Sequence, residues 1–232
     1  MKKPLILIAL LCICVPVIAQ EHETEQHKLV QFQLALLKRE VRSAPRGGIS
    51  PALRRQHMAY YQSLLTSGKA LIAGPLQDDP QWSGVAIFNT KSADEARAWA
   101  TADPAVAAGF FTIELHPWWS EDVFKRNVQP GGGPTTVYLA LLVRGEKWTP
   151  GQTPENEAIQ KAHLANIGRL AELKKLVVAG PFGDDGTLRG IFVFRVASLE
   201  EARTLAETDP AVKAGRLALQ IHPWIVPDGI LP

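Results

Sequence analysis

A duplication of about a hundred residues constrains the fold of this chain more than any other feature. Residues 102–109 read ADPAVAAG and residues 208–215 read TDPAVKAG, and after six further residues each stretch is followed by His-Pro-Trp. When His57 is aligned with His163, the offset is 106 without a gap, and 25 of the 63 aligned residues up to Trp119 are identical. This period is too long for a solenoid of small units, so we expect two tandem copies of one domain.

The two copies are separated by a stretch rich in proline and glycine. The sequence NVQPGGGPTT follows the first copy and has no apolar period, which is typical of a linker. The repeat and this stretch together predict a first domain at 27–126, a linker at 127–134 and a second domain at 135–228.

Both copies have the same order of predicted elements. An apolar strand precedes a helix, two strands joined by an acidic turn, a second helix and a last strand. The opening strands are predicted at 32–38 and 137–143, and the closing strands at 111–115 and 217–221. The helices should begin after the capping residues Ser50 and Ser92 in copy one, and Thr153 and Ser198 in copy two.

The order β-α-β-β-α-β predicts an α+β fold made of two tandem ferredoxin-like domains. In such a domain the helices cover one face of the sheet and leave the other face bare, and that bare face must be buried. The second copy is the obvious cover. We therefore expect the two sheets to pack face to face as an internal pseudo-dimer.

The N-terminus reads as a secretory signal peptide over residues 1–19. Its basic start, short apolar run and small residues before Ala19 are typical of a leader cleaved after that residue, which predicts a periplasmic or secreted protein. An uncleaved signal anchor is the alternative. Both cysteines, Cys12 and Cys14, lie within the leader, so no disulfide is expected in the mature chain.

The charge balance argues against two classes of partner. The full chain has 25 Lys and Arg residues against 23 Asp and Glu residues, and loss of Lys2 and Lys3 with the leader would leave a formal net charge of zero. A neutral surface disfavours nucleic acid and anionic membranes as partners. A small-molecule ligand remains compatible with the sequence.

Three stretches of each copy resemble the YCII-related domain family. In copy one they are HMAYYQSLLTSGKALIAGP, EARAWATADPAVAAG and IELHPW, and copy two repeats the pattern. The resemblance implies the fold predicted above, usually as a homodimer, with kinship to the folds of muconolactone isomerase and chloromuconolactone dehalogenase. It also implies a suspected active dyad, which would be His57 with Asp103 and His163 with Asp209. Fusion in tandem and export depart from the usual single-domain members.

The two helix histidines are the strongest candidates for chemistry. His57 and His163 lie on the apolar stripes of their helices, which should face the sheet. An imidazole held near neutrality and oriented by a carboxylate suits general acid–base catalysis. The alternative is a core histidine that donates one hydrogen bond to a backbone carbonyl.

For Asp103 and Asp209 the sequence favours a structural interpretation. An Asp followed by Pro, by a few helix-compatible residues and by Gly is the pattern of a short capped helix. A cap uses one carboxylate oxygen, so the second oxygen can still hold an imidazole.

The last strands supply weaker candidates for ligand binding. Strand alternation places Glu114 and His116 on the face turned towards the other sheet, and His222 on the corresponding face of copy two. There they would line a partly polar interior, as in a ligand cavity. The alternative is a set of polar residues near the rim, before a proline that stops the strand.

Other motifs give no further site. The acidic pairs at 78–79 and 184–185 read as solvated hairpin turns, and the Gly-Pro pairs at 74–75 and 180–181 as strand ends. The sequence contains no pattern typical of a metal or cofactor site, so neither is predicted. Two hypotheses remain: a small enzyme of the isomerase, lyase or dehalogenase type, or a non-catalytic module that binds a small molecule or a protein.

Overall fold

The computed structural model describes residues 28–39, 48–78, 81–126 and 133–232. The predicted leader at 1–19 and most of the predicted linker lie outside these ranges, and both remain predictions. Within them, no helix is both long and apolar enough to cross a membrane.

Each half of the chain contains four strands and three helices, and the predicted α+β class is confirmed. The first half consists of β1 (Leu29–Arg39), α1 (Pro51–Thr66), β2 (Ala70–Pro75), β3 (Trp82–Phe88), α2 (Ala93–Thr101), α3 (Pro104–Ala107) and β4 (Phe111–Glu121). The second half consists of β5 (Pro134–Arg144), α4 (Pro154–Glu172), β6 (Leu176–Pro181), β7 (Leu188–Phe194), α5 (Leu199–Ala206), α6 (Pro210–Lys213) and β8 (Leu217–Pro227).

The long helices begin where their capping residues predict. The side chains of Ser50 and Thr153 accept hydrogen bonds from the backbone N–H groups three residues on, and proline occupies the first turn of each helix. Ser92 and Ser198 cap the second helices in the same way. These bonds satisfy donors that an uncapped helix would leave unpaired.

The strands form two antiparallel sheets of four, in the order β2-β3-β1-β4 and β6-β7-β5-β8. Along each central strand, successive side chains point to opposite faces of the sheet. Leu34 and Leu36 of β1 point to one face, whereas Ala35 and Leu37 point to the other and pack under the helices. This period of two is what allows one sheet to serve two cores.

The bare faces of the two sheets bury each other. Leu34 and Leu36 share a single hydrophobic core with Leu139 and Leu141 of β5, and all four side chains are fully buried. In addition, each sheet has one separate core on its other face, between the sheet and its own helices. The predicted face-to-face pseudo-dimer is therefore confirmed.

The closing strands are longer than predicted. β4 runs through Pro117 to Glu121, and β8 runs through Pro223 to Pro227. The Pro117 carbonyl accepts a hydrogen bond from Gly183 N of the other half at 2.7 Å, so it points away from β1. Because N–H and C=O of one strand residue point to the same side, the missing proline N–H breaks no bond to β1.

These extensions join the two sheets at both edges. Trp118 of β4 forms a bridge with Phe182, just after β6, and Trp224 of β8 forms one with Leu76, just after β2. Both indoles are fully buried. Each donates from Nε1 to a glycine carbonyl of the other half, at 3.1 Å.

Candidate active site

The first His-Asp pair lies between α1 and α3, on the helix-covered side of its sheet. Nδ1 of His57 is 2.7 Å from Oδ2 of Asp103. The other carboxylate oxygen of Asp103 accepts a hydrogen bond from Ala105 N at 3.1 Å and caps α3. Asp103 thus caps a helix and holds an imidazole at the same time.

Local sequence places both members of this pair. Asp103 has the extended backbone of a capping residue, and Pro104 starts α3 with the backbone angle that a first turn needs. Gly109 ends this short turn with φ of +75°, a region that favours glycine. His57 lies about two turns into α1, where it faces the capping carboxylate.

The second pair repeats this geometry. Nδ1 of His163 is 2.8 Å from Oδ2 of Asp209, whose Oδ1 accepts from Ala211 N at 2.8 Å. Both aspartates are fully buried, so each carboxylate needs these partners to offset its loss of hydration. The His-Asp contacts are therefore present in both copies.

This arrangement orients each imidazole for proton transfer. A carboxylate opposite Nδ1 stabilises the tautomer that carries its proton on Nδ1, and it stabilises the imidazolium when the ring is protonated. Nε2 of His57 makes no hydrogen bond to the described residues, which leaves this atom for a ligand. The His57 side chain keeps 21% exposure, against 11% for His163.

Two tyrosines surround the first pair. The Tyr60 hydroxyl donates to the Trp99 carbonyl at 2.7 Å, and the Tyr61 ring meets the His57 ring edge to face. The Tyr61 hydroxyl is buried and has no hydrogen-bond partner among the described residues. Burial, and then the charge of Asp103, raise the pKa of Tyr61, so its hydroxyl stays protonated.

The second pair has a polar network in place of the tyrosines. Asn166, which aligns with Tyr60, points its side-chain amide at Oδ2 of Asp209 at 3.5 Å. The oxygen of the same amide accepts from Arg169 at 2.8 Å and from Thr208 at 3.2 Å. His163 stacks on Phe192 and is the more enclosed of the two histidines. The two copies therefore offer different surroundings to a ligand.

One of the strand residues predicted to face the other sheet, His116, forms a third His-Asp contact. Nδ1 of His116 is 2.7 Å from Oδ2 of Asp184, which belongs to the other half of the chain. Burial alone would raise the pKa of Asp184, but hydrogen bonds from His116 and Gly186 N, with the charges of His116 and Arg189, lower it overall. The pair links the two sheets at one edge.

A cavity of about 280 Å³ opens between the sheets. It is lined by Glu114 and His116, as the strand alternation predicts, and by Gln81, Trp82, Val143, Thr187, Leu188 and Gln220. Neither the His57–Asp103 pair nor the His163–Asp209 pair lines it. His222 lies on β8 opposite Leu139 and is not among the lining residues.

Sequence reasoning misses two features that the fold uses. The pattern around Asp184 predicts a solvated turn, yet this residue bonds His116 across the domain boundary. The patterns around Gly74 and Gly180 predict strand ends, which is correct, but they do not reveal that a side chain at either position would collide with the backbone of the other half. The Asp-Asp and Gly-Pro pairs recur in both copies, and this repetition is the only sign in the sequence that they matter. The local sequence around them does not distinguish an interdomain contact from a turn or a strand end.

No group of three His, Cys, Asp or Glu side chains in the described ranges could hold a metal ion. The ionisable side chains that contact each other as His-Asp pairs are His57 with Asp103, His163 with Asp209, and His116 with Asp184.

Comparison with known proteins matches this chain to one family over most of its length. The model of the YCII-related domain matches residues 37–118 and again 140–225. Protein YjpA of Bacillus subtilis (strain 168), described as uncharacterised, is 34% identical over 88 residues, which are 38% of this chain and 93% of YjpA. Protein YciI of Escherichia coli O6:H1 is 38% identical over 68 residues, 26% of this chain and 69% of YciI.

Solved structures with low sequence identity share the fold. A chlorite dismutase from Candidatus Nitrospira defluvii superposes with a TM-score of 0.55 at 11% identity, over 86% of this chain and 92% of that chain. A heme-binding protein from Thermus thermophilus superposes with a TM-score of 0.51 at 14% identity, over the same shares of the two chains. At these identities the likeness extends to the fold alone.

Proposed function

Because the chain belongs to the YCII-related domain family, in two tandem copies, we propose that it is a small acid–base enzyme of the isomerase, lyase or dehalogenase type. Its substrate would be a small carbonyl or lactone-like compound. His57 with Asp103, and His163 with Asp209, would move the proton.

One observation carries this proposal: each aspartate splits its two oxygens between a helix cap and a histidine. A cap alone would leave the second oxygen without a specific partner, and a purely structural core histidine would find a backbone carbonyl. Instead Oδ2 of Asp103 lies 2.7 Å from His57 Nδ1, and the second copy repeats the contact. A carboxylate bonded to Nδ1 leaves Nε2 as the proton-accepting atom.

The reaction step requires only the residues present. Nε2 of His57 removes a proton from the carbon next to a carbonyl group, and the electron pair moves onto the carbonyl oxygen to form an enolate. Asp103 stabilises the imidazolium formed, since its charge lies beside Nδ1. If the substrate also contains a double bond next to the deprotonated carbon, the enolate extends over it, and return of the proton from His57 to the far carbon completes an isomerisation. Loss of a halide or other leaving group, with its bonding electrons, from the carbon adjacent to the deprotonated one completes an elimination.

The first copy is the better placed of the two for this step. His57 is more exposed than His163, and its carboxylate is not shared with an asparagine. We therefore expect most of the activity to come from His57, with His163 contributing less.

Exchange of carbon-bound hydrogen tests the proposal without knowledge of the natural substrate. The full protein is incubated in D₂O with a panel of small ketones and lactones, and loss of the α-proton signal is followed by ¹H NMR. His57→Asn should slow the exchange of an accepted compound by about a hundredfold or more, since it removes the base. His163→Asn should slow it less.

Asp103→Asn is the matched control for the cap. An asparagine oxygen can still accept from Ala105 N and cap α3, but an amide cannot supply the negative charge opposite Nδ1. We expect a folded protein with slow exchange. If no compound exchanges faster than in buffer, or if the double variant of His57 and His163 retains the rate, the enzymatic proposal is wrong.

A second candidate function is supported by the cavity between the sheets. That cavity is lined by Glu114, His116 and Gln220 but by neither the His57–Asp103 pair nor the His163–Asp209 pair. Such a separation is expected of a module that binds a small molecule without catalysing a reaction. A metabolite panel that raises the melting temperature of the wild type and of His57→Asn equally, without proton exchange, would favour this function.

A further inference from the structure

Three arginines of the second half surround one tryptophan. The guanidinium carbons of Arg144, Arg189 and Arg216 lie 5.3, 4.9 and 5.0 Å from the centre of the Trp148 ring. Arg144 ends β5, Arg189 lies on β7 and Arg216 directly precedes β8. Three adjacent strands of one sheet thus bring three positive charges to one indole, which attracts each of them by a cation–π interaction.

Neutral oxygen atoms hold the three side chains in place. Arg144 donates to the Asp185 carbonyl at 2.6 Å, and Arg189 donates to the carbonyls of Asp184 and Gly186. Arg216 donates to the hydroxyl and the carbonyl of Thr149, and to the side-chain oxygen of Asn156, which Thr149 contacts in turn. These bonds fix the positions of the guanidinium groups without neutralising them.

The charge of this cluster is not balanced by direct ion pairs. In the described part of the chain, none of the three arginines forms an ion pair with a carboxylate. The charge of Arg189 helps to lower the pKa of Asp184, but the carboxylate of Asp184 is already bonded to His116 and Gly186 N. Each guanidinium has five N–H donors, so each retains donors for a further acceptor.

The fold does not require this cluster, because the first copy does without it. Arg189 and Arg216 align with Ser83 and Phe110, neither of which can carry charge, and only Arg144 aligns with an arginine, Arg39. Both copies nevertheless build the same four-stranded sheet. Accumulation of three like charges in one copy costs electrostatic free energy, which indicates a role other than folding.

We propose that Arg144, Arg189 and Arg216, arranged around Trp148, form a binding site for a tetrahedral oxyanion such as phosphate, a phosphate monoester or sulfate. Guanidinium groups bind such anions through paired N–H donors that match the spacing of the oxygens. The site lies on the second half alone and includes no residue of the His57–Asp103 and His163–Asp209 pairs, so the proposal holds whether or not the protein is an enzyme.

Titration of the full protein with sodium phosphate, followed by two-dimensional ¹H–¹⁵N NMR, tests the site. Sodium chloride at matched ionic strength corrects for screening of charge. We expect saturable shifts of the Trp148 indole and of the arginine side-chain signals with phosphate but not with chloride. Sulfate should compete with phosphate, and a phosphate monoester should bind at least as tightly as the inorganic ion if an ester is the natural ligand.

Arg189→Gln should weaken phosphate binding by about tenfold, because it removes one charged hydrogen-bonding group from the site. Arg54→Gln, an exposed arginine of α1 far from the cluster in sequence, should leave binding unchanged. If Arg189→Gln does not fold, Arg144→Gln replaces it, since this side chain donates only one hydrogen bond to the protein. Shifts that chloride reproduces, or equal effects of Arg54→Gln and the cluster variants, would overturn the proposal.

Discussion

At the scale of single residues, Gly74 and Gly180 explain why both copies carry the sequence Ala-Gly-Pro. A Cβ atom built on Gly74 would overlap the carbonyl oxygen of Ile225, and one on Gly180 would overlap that of Trp119. Each glycine therefore lies where a strand of the other half passes directly over it. The glycine of the motif is therefore required by the close approach of two backbones, in addition to its place at a strand end.

Gly74→Ala should destabilise the protein by more than about 2 kcal/mol, because the added methyl group meets backbone atoms that cannot move without shifting β8. Gly168→Ala is the matched control. Gly168 lies in α4 with nothing near its absent Cβ, so alanine should stabilise by about 0.5–1 kcal/mol through helix propensity. Chemical denaturation of both variants measures the difference, and equal stabilities would contradict this explanation.

At the scale of elements, the closing strands do more than complete their own sheets. β4 passes through Pro117 because the missing N–H faces the other half of the molecule, and its extension carries His116 and Trp118 to that half. The His116–Asp184 contact and the Trp118 indole bond both cross the boundary. One strand therefore contributes to a sheet and to the interdomain contact together.

The His116–Asp184 contact should make interdomain stability depend on pH. Since the folded-state pKa of Asp184 is lowered, its contribution is present at neutral pH, above the unfolded value, and is lost as pH falls through the folded value. Asp184→Asn should cost at most about 1 kcal/mol at neutral pH, because the carboxylate is partly exposed and screened by solvent.

Denaturation of wild type and Asp184→Asn across the acidic range checks this expectation. The difference in the free energy of unfolding should shrink towards zero below the folded pKa of Asp184. Asp185→Asn serves as control, because Asp185 is exposed and uses its backbone carbonyl rather than its carboxylate. A difference that stays constant down to the lowest pH would show that the carboxylate charge is not responsible.

At the scale of the whole molecule, each half is incomplete without the other. The core between the sheets draws residues from both halves, and two of its tryptophans, Trp118 and Trp224, are fully enclosed. Exposure of one such indole costs on the order of 4 kcal/mol, by its apolar area. Because of this shared core, the two copies form one structural unit.

The separated first domain, 27–126, should therefore fail to exist as a soluble monomer. We expect it to aggregate or to form a homodimer that covers its bare sheet, as measured by size-exclusion chromatography with light scattering. Addition of the second domain, 135–228, should restore a one-to-one complex. A monodisperse monomer of the first domain alone would refute the idea that the halves depend on each other.

The sequence was sufficient for those features that local chemistry dictates. Capping residues at Ser50 and Ser92, alternation along β1 and the Asp-Pro start of α3 each follow from bonds between near neighbours in the chain. The family resemblance paired His57 with Asp103, and the capping geometry left one oxygen free for the ring. The extension of β4 beyond Pro117 could not be predicted, because it depends on which side of the strand the proline presents.

By itself, then, the sequence determined two copies of one βαββαβ unit, and its family resemblance supplied the His-Asp pairs that lie within each copy. Only the tertiary structure decided what passes between the copies: the contact of His116 with Asp184, the backbones that meet at Gly74 and Gly180, and the convergence of three arginines on Trp148. The physical reason is the distance along the chain between the residues that interact. Caps and strand alternation are set by neighbours along the chain, whereas contacts between sheets depend on how two whole surfaces come together, which no short segment encodes.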